Sequence, residues 1–141
     1  MLLNLKENTI YYEEIICTKD KTKTTLIFLH DSFGCTELWR NFPHKLCEKA
    51  GLNGIVYDRL GYGKSEPFMN NTRENHYMEI EADLLIDLMD KLSARKSVLF
   101  GHSDGATISL IAAAKYPDRI TAVISEAAHV FVENETITGI K

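Results

Sequence analysis

The chain has 141 residues, of which 45% are hydrophobic and 26% are charged, and its formal net charge is −4 at pH 7. This composition predicts one globular domain with a core and excludes a disordered or collagen-like chain. The acidic balance lacks a basic run, so nucleic acid is not an expected partner. No apolar run makes a signal peptide or approaches the ~20 residues of a membrane span, which predicts a cytoplasmic protein without a membrane partner.

Apolar runs and helical stripes alternate along the chain. The predicted strands cover residues 9–16, 25–30, 54–58, 97–100 and 120–125, and the predicted helices cover residues 38–47, 77–92 and about 105–115. Pro43 is expected to bend or interrupt the first helix, and Gly51 lies near its end. A second strand beside residues 9–16 is expected at the N-terminus. Alternating strands and helices of these lengths imply crossover connections and a mainly parallel sheet.

The most informative motif is Gly101-His102-Ser103-Asp104-Gly105, which follows an apolar strand and precedes an alanine-rich helix. A strand, a sharp turn and a helix form the context in which a serine is exposed as a nucleophile. The two glycines allow neighbouring backbone segments to approach closely. Other strand ends carry polar turns as well, and open α/β sheets place their ligand sites at these ends. These turns are His30-Asp31-Ser32-Phe33-Gly34, Asp58-Arg59-Leu60-Gly61-Tyr62-Gly63-Lys64-Ser65 and Glu126-Ala127-Ala128-His129.

The stretch Gly63-Lys64-Ser65 also resembles the end of a phosphate-binding loop. That motif requires a glycine five positions before Gly63, where this chain has Asp58. We therefore interpret residues 58–65 as a structural turn. The cysteines Cys17, Cys35 and Cys47 are odd in number and widely spaced, which predicts free thiols and neither disulfides nor a metal site.

Taken in order, these features resemble the first half of an α/β-hydrolase fold protein. The resemblance rests on the turn after residues 25–30, a helical Trp39, the DxxGxGxS loop, the GHSxGA motif and the final Tyr116-Pro117-Asp118, and it is clearest over residues 24–129. It implies a mainly parallel α/β-hydrolase-type sheet with flanking helices. The turn at Ser103 is then the nucleophile elbow, and the sheet is truncated after the strand that follows the elbow helix, about residues 105–115. It also implies hydrolysis of a small ester or related acyl substrate, or of a carbon–carbon bond, without a cofactor.

By this resemblance Ser103 is the nucleophile. The backbone N–H groups of Ser32 and Asp104 would form the oxyanion hole. Asp31 departs from the family pattern, which has glycine there, and we expect its carboxylate to point away or to cap the following segment.

The remaining triad members are the main difficulty, because the family order is serine, acid and then a late histidine. Glu126 is a candidate acid, since some relatives place the acid directly after this strand. His30, His102 and His129 are candidate pocket residues, and none of them is expected to serve as the base. Residues 1–141 are thus expected to be one partial domain, whose last residues, 130–141, resemble the start of a cap. The exposed last strand would then pair with a completing chain or with a second copy.

A different class of function also fits the sequence. The chain could be a non-catalytic α/β module that keeps the scaffold and binds a small apolar ligand or a completing partner chain. Covalent labelling of Ser103 distinguishes the two hypotheses.

Overall fold

The computed structural model describes residues 1–6, 8–20, 24–68 and 75–131. The strands are β1 (Leu2–Leu5), β2 (Asn8–Ile15), β3 (Thr25–Leu29), β4 (Gly54–Tyr57), β5 (Ser97–His102) and β6 (Ile120–Glu126). The helices are α1 (Phe42–Ala50), α2 (Tyr77–Lys91) and α3 (Asp104–Lys115). A one-turn 3₁₀ helix, Thr36–Trp39, precedes α1.

The strands form one mixed sheet in the order β1-β2-β4-β3-β5-β6. β1 pairs with β2, and β2 with β4, in antiparallel orientation, so the predicted N-terminal edge is confirmed. The pairs β3/β4, β3/β5 and β5/β6 are parallel. Because parallel strands end at the same edge, the turns after β3, β4, β5 and β6 meet on one side of the molecule.

Two apolar clusters cover the two faces of the sheet. Alternate residues of β3 point to opposite faces, as the pleat of a strand requires. Phe28 packs with Cys47 of α1 on one face, whereas Ile27 and Leu29 pack with α2 and α3 on the other. The result is a sheet between helical layers, the architecture expected of βαβ crossovers.

Of the two alternatives expected at Pro43, the bend is wrong, whereas the predicted helix over residues 38–47 is interrupted just before the proline, between the 3₁₀ turn and α1. Pro43 occupies the first turn of α1, where its missing N–H costs nothing because first-turn N–H groups have no partner within the helix. The apolar residues before it belong to the separate 3₁₀ turn. Gly51 ends α1 in the left-handed conformation, as expected.

β6 lies at one edge of the sheet described here, and Ile124 on it is 45% exposed. The predicted association through this edge stays a prediction. Most of the segment compared with the start of a cap, residues 132–141, lies outside the described residues. Within the described ranges, no helix combines the length and apolar character that a membrane crossing requires.

Candidate active site

Ser103 lies in the sharp turn between β5 and α3. Its backbone has φ 53° and ψ −117°, a region that side-chain-bearing residues rarely occupy. Its N–H donates a hydrogen bond to the carbonyl oxygen of Glu126 across 2.8 Å, which ties the turn to the end of β6. The predicted strand, turn and helix around this serine are confirmed.

The glycines on either side of Ser103 are required by packing. A Cβ on Gly101 would collide with the backbone of Gly105 and Ala106. A Cβ on Gly105 would collide with the carbonyl oxygens of Leu29 and His30, at the end of the neighbouring strand. The start of α3 therefore lies directly against the end of β3.

The turn after β3 is organised by Asp31. Its Oδ1 accepts a hydrogen bond from the N–H of Phe33 at 2.7 Å, so the expectation that it caps the following segment is confirmed. Its Oδ2 lies 3.4 Å from Nδ1 of His102. Partial burial acts to raise the pKa of Asp31, but the Phe33 N–H and His102 outweigh it and lower the pKa. Ser32, a predicted oxyanion donor, lies inside this turn.

His30 connects two of the strand-end turns. Its Nδ1 lies 2.7 Å from the carbonyl oxygen of Asp31, and its Nε2 accepts the N–H of Arg59 at 3.0 Å. Burial, together with the charge of Arg59, lowers the pKa of His30 to about 4. Both ring nitrogens are occupied, so His30 is a structural side chain that also borders the cavity described below.

The loop after β4 wraps around the carboxylate of Asp58. This carboxylate is buried and accepts the N–H groups of Thr36 at 2.5 Å and Lys64 at 2.8 Å. A Cβ on Gly63, whose φ is +52°, would collide with the same carboxylate. These hydrogen bonds hold the loop around its own aspartate, which agrees with the interpretation of residues 58–65 as a structural turn.

A buried polar cluster near Ser103 was not predicted from the sequence. The guanidinium of Arg59 is fully buried, donates to the carbonyl oxygen of Asp31 at 3.0 Å and lies 3.8 Å from the carboxylate of Asp104. The hydroxyl of Tyr77 donates to the same carboxylate at 2.9 Å. Asp104 is the first residue of α3, where a negative side chain is favoured by the helix dipole. The available sequence signal was Arg59 itself, a charged residue two positions after the buried strand β4.

His129 lies beside Ser103. Its Nε2 is 3.2 Å from Oγ of Ser103, so this imidazole lies within hydrogen-bond reach of the serine. The expectation that it does not serve as the base stays a prediction. The side chain of Thr107, one turn into α3, accepts the N–H of His129 at 2.9 Å and donates to its carbonyl oxygen at 3.2 Å. The threonine thus holds the backbone of His129 next to the elbow.

A cavity of about 230 Å³ opens at the same edge of the sheet. Its lining residues are His30, Asp31, Gly34, Cys35, Leu38, Trp39, His102 and Glu126. Two of the predicted pocket histidines, His30 and His102, therefore do border one cavity, whereas His129 lies beside Ser103 instead. The role of Glu126 as an acid stays a prediction.

The mixed sheet and the turns after β3, β4, β5 and β6 are those of a hydrolase fold. The sequence matches the model of the alpha/beta hydrolase fold family over residues 24–139, and the chain belongs to this family.

Individual relatives are hydrolases by name. Human serine hydrolase BPHL is 37% identical over 81 residues, which cover 57% of this chain and 28% of that protein. The 2-(acetamidomethylene)succinate hydrolase of Mesorhizobium japonicum is 32% identical over 116 residues, covering 82% of this chain and 40% of that protein. The chain therefore spans less than half the length of these relatives.

Solved structures agree with the fold. The alpha/beta hydrolase MGS-M2, from a Medee basin deep-sea metagenome library, superimposes with a TM-score of 0.76 at 26% identity, covering 89% of this chain and 43% of that chain. A structure from a study of carboxylesterases of the thaumarchaeon Nitrososphaera gargenis gives a TM-score of 0.81 at 24% identity, covering 97% of this chain and 48% of that chain. At that identity the second match supports the fold alone.

Proposed function

We propose that this chain carries the nucleophile of a serine hydrolase that acts on a small ester or a related acyl or carbon–carbon substrate. Ser103 is the nucleophile in this proposal. The observation that carries it is the conformation of the serine, which has φ 53° in a turn between β5 and α3. In this family such a turn exposes the hydroxyl at the edge of the sheet.

The strain at Ser103 needs a reason. A non-glycine residue in a sparsely populated backbone region costs about 1–3 kcal/mol, and such residues cluster at functional sites. Here the conformation is maintained by Gly101 and Gly105, which leave no room for the turn to relax. A glycine at position 103 would remove the strain, so a serine in this place is best explained by chemistry of its hydroxyl.

The proposed reaction begins when Oγ of Ser103 attacks the carbonyl carbon of the substrate. The N–H groups of Ser32 and Asp104 are the proposed donors to the oxygen that becomes negative. Two such donors contribute a few kcal/mol of barrier lowering in related sites. Asp104 begins α3, so the helix dipole adds to the effect of its N–H. The hydrolase names of the relatives support a small-molecule substrate.

Labelling with a fluorophosphonate tests the proposal. The native chain is expected to gain one covalent phosphonyl group on Ser103, detected by intact-mass and peptide mass spectrometry, and S103A is expected to gain none. S125A is the matched control, because Ser125 lies exposed near the end of β6 and should leave labelling unchanged. Absence of labelling in a native chain with normal circular dichroism would contradict the proposal and support the non-catalytic module.

A further inference from the structure

We infer that Arg59 is a positioning residue for the proposed oxyanion hole, because its guanidinium joins the two segments that carry the N–H donors. This inference rests on the proposed function, in which the N–H groups of Ser32 and Asp104 bind the substrate oxygen. Nη2 of Arg59 lies 3.0 Å from the carbonyl oxygen of Asp31 and 3.8 Å from the carboxylate of Asp104. A single nitrogen atom therefore faces both the turn after β3 and the start of α3.

The first contact acts through the peptide group between Asp31 and Ser32. The carbonyl of Asp31 and the N–H of Ser32 belong to one planar trans peptide unit, so they point in opposite directions. A donor that holds the carbonyl therefore also sets the direction of the N–H. Hydrogen bonds to a carbonyl also polarise the N–H of the same peptide and make it a stronger donor.

The carbonyl of Asp31 is held by two side chains. Nη2 of Arg59 donates to its oxygen at 3.0 Å, and Nδ1 of His30 lies 2.7 Å from the same oxygen. Nε2 of His30 accepts the backbone N–H of Arg59, so Nδ1 of the neutral imidazole carries the proton and donates it. The backbone and the side chain of Arg59 thus act on the same peptide group, one through His30 and the other directly.

The second contact acts on the first residue of α3. The carboxylate of Asp104 is buried, faces Nη2 of Arg59 at 3.8 Å and accepts the hydroxyl hydrogen of Tyr77 at 2.9 Å. A side chain held at two points restricts the rotation of its own backbone. The N–H of Asp104 is part of that backbone, so the cluster also restricts the second proposed donor.

Stability alone is a weak reason for this arginine. Its side chain is fully buried, and its guanidinium carbon lies 4.6 Å from the centre of the Tyr62 ring. Nε and Nη1 make no hydrogen bond to a residue in the described part of the chain. Buried N–H groups without partners reduce stability, and buried ion pairs can often be replaced by apolar side chains without loss. The planar guanidinium does provide donors in fixed directions, which the ammonium of lysine does not.

A second arginine provides a matched control. Nε of Arg119 donates to the carbonyl oxygen of Arg95 at 3.0 Å, and its Nη2 donates to the carboxylate of Asp90 at 2.6 Å. Arg119 therefore also joins a carbonyl to a carboxylate. It directly precedes β6, which runs parallel to β5, so it lies at the opposite edge of the sheet from Ser103.

The first test measures the rate of fluorophosphonate labelling of Ser103 in native protein, R59K and R119K. Imidazole in the buffer serves as the base in every sample: Oγ bonds to phosphorus, fluoride leaves and imidazole takes the proton. In R59K the maximal rate at saturating probe should fall on the order of tenfold, as expected for misplaced oxyanion donors. The probe concentration for half-maximal rate should stay unchanged. R119K should keep the native rate.

Nuclear magnetic resonance of the labelled protein supplies a readout that a merely structural role would not move. The amide protons of Ser32 and Asp104 should shift downfield when they bind the phosphonyl oxygen of the labelled serine. These two shifts should be smaller in labelled R59K than in labelled native protein. In labelled R119K they should equal those of native protein.

Each result has a definite meaning. A lower maximal rate in R59K together with smaller amide shifts supports the positioning role. Native rate in R59K, native amide shifts in R59K or equal slowing of R59K and R119K overturns this role and leaves the nucleophile intact. No labelling of the native chain overturns the proposed function and this inference together.

Y77F decides the question if circular dichroism shows that R59K does not fold. This variant removes the hydrogen bond from Tyr77 to Asp104, and its maximal rate should fall by about threefold. Y116F is the matched control, because the hydroxyl of Tyr116 donates to Asp83 at 2.6 Å and lies beyond the other end of α3. Equal maximal rates in Y77F and Y116F would overturn the inference.

Discussion

The ends of β5 and β6 are built in opposite ways, although both carry a non-glycine residue with a positive φ. Ser103, at the end of β5, has φ 53°, and Ala127, just after β6, has φ 54°. The first is surrounded by buried backbone, because Gly101 and Gly105 leave no space around it. The second lies in an exposed segment whose next described anchor is the hydrogen bonding between His129 and Thr107. Ser103 is thus fixed by packing, whereas His129 is fixed by hydrogen bonds.

The largest effect is expected from filling the space beside the elbow. G105A would place a methyl group against two carbonyl oxygens of the β3 end, and we expect a loss of about 3 kcal/mol in the free energy of unfolding. G51A is the matched control. It also changes a glycine to alanine, but nothing lies within 4 Å of the new Cβ, and only the positive φ of 64° costs about 1 kcal/mol. Urea unfolding followed by circular dichroism measures both. Equal losses would show that the elbow is not fixed by packing.

An intermediate effect on the free energy of unfolding is expected from a change in pH. The group responsible is His30, which is buried just after β3. The folded pKa of His30 is about 4 and its ordinary value is 6.5, so the unfolded chain takes up the proton first as the pH falls. The contribution of His30 to stability is complete above about pH 6.5 and is lost as the pH falls toward 4. Between pH 7 and pH 5 the native chain should lose about 2 kcal/mol through this histidine.

H30N isolates this contribution, because asparagine has no proton to gain in this range. The variant will be less stable at pH 7, and the informative quantity is the change in its urea midpoint between pH 7 and pH 5. That change should be smaller in H30N than in native protein. The same pH dependence in both chains would mean that His30 is not held neutral by burial.

The smallest effect is expected from relieving backbone strain at Ser103 and Ala127, the two positive-φ residues compared above. S103G should have a free energy of unfolding about 1 kcal/mol higher than S103A, since both lose the hydroxyl and only glycine relieves the strain. A127G should change stability by less than about 0.5 kcal/mol, because the exposed segment can relax. A larger gain in A127G than in S103G would reverse the comparison between the strand ends.

Short-range features were predictable from the sequence. The apolar runs of β3, β4 and β5 have one interpretation, since a strand covered on both faces must be apolar throughout. The elbow was predictable for a related reason, because Gly101 and Gly105 flank Ser103 within five residues and the constraint is local. Asp31 could be predicted to cap its own turn because aspartate binds backbone N–H groups two residues ahead.

Long-range features were not predictable in the same way. The position of His129 depends on the path of the chain after β6 and on a hydrogen bond to Thr107, 22 residues earlier. Neither dependence leaves a pattern in the neighbouring sequence. The burial of Arg59 beside Asp104 likewise requires the folded positions of two strand ends. The position of the break ahead of Pro43 was not predictable, because the apolar spacing runs continuously across two separate helical segments.

The two hydrogen bonds between Thr107 and His129 have a mechanical consequence. Ser103 begins the turn into α3, and Thr107 lies one turn further along the same rigid rod. When this rod slides or tilts against the sheet, it carries the oxygen and the imidazole in the same direction. The distance between Oγ of Ser103 and the imidazole of His129 is then insensitive to small motions of α3 relative to the sheet.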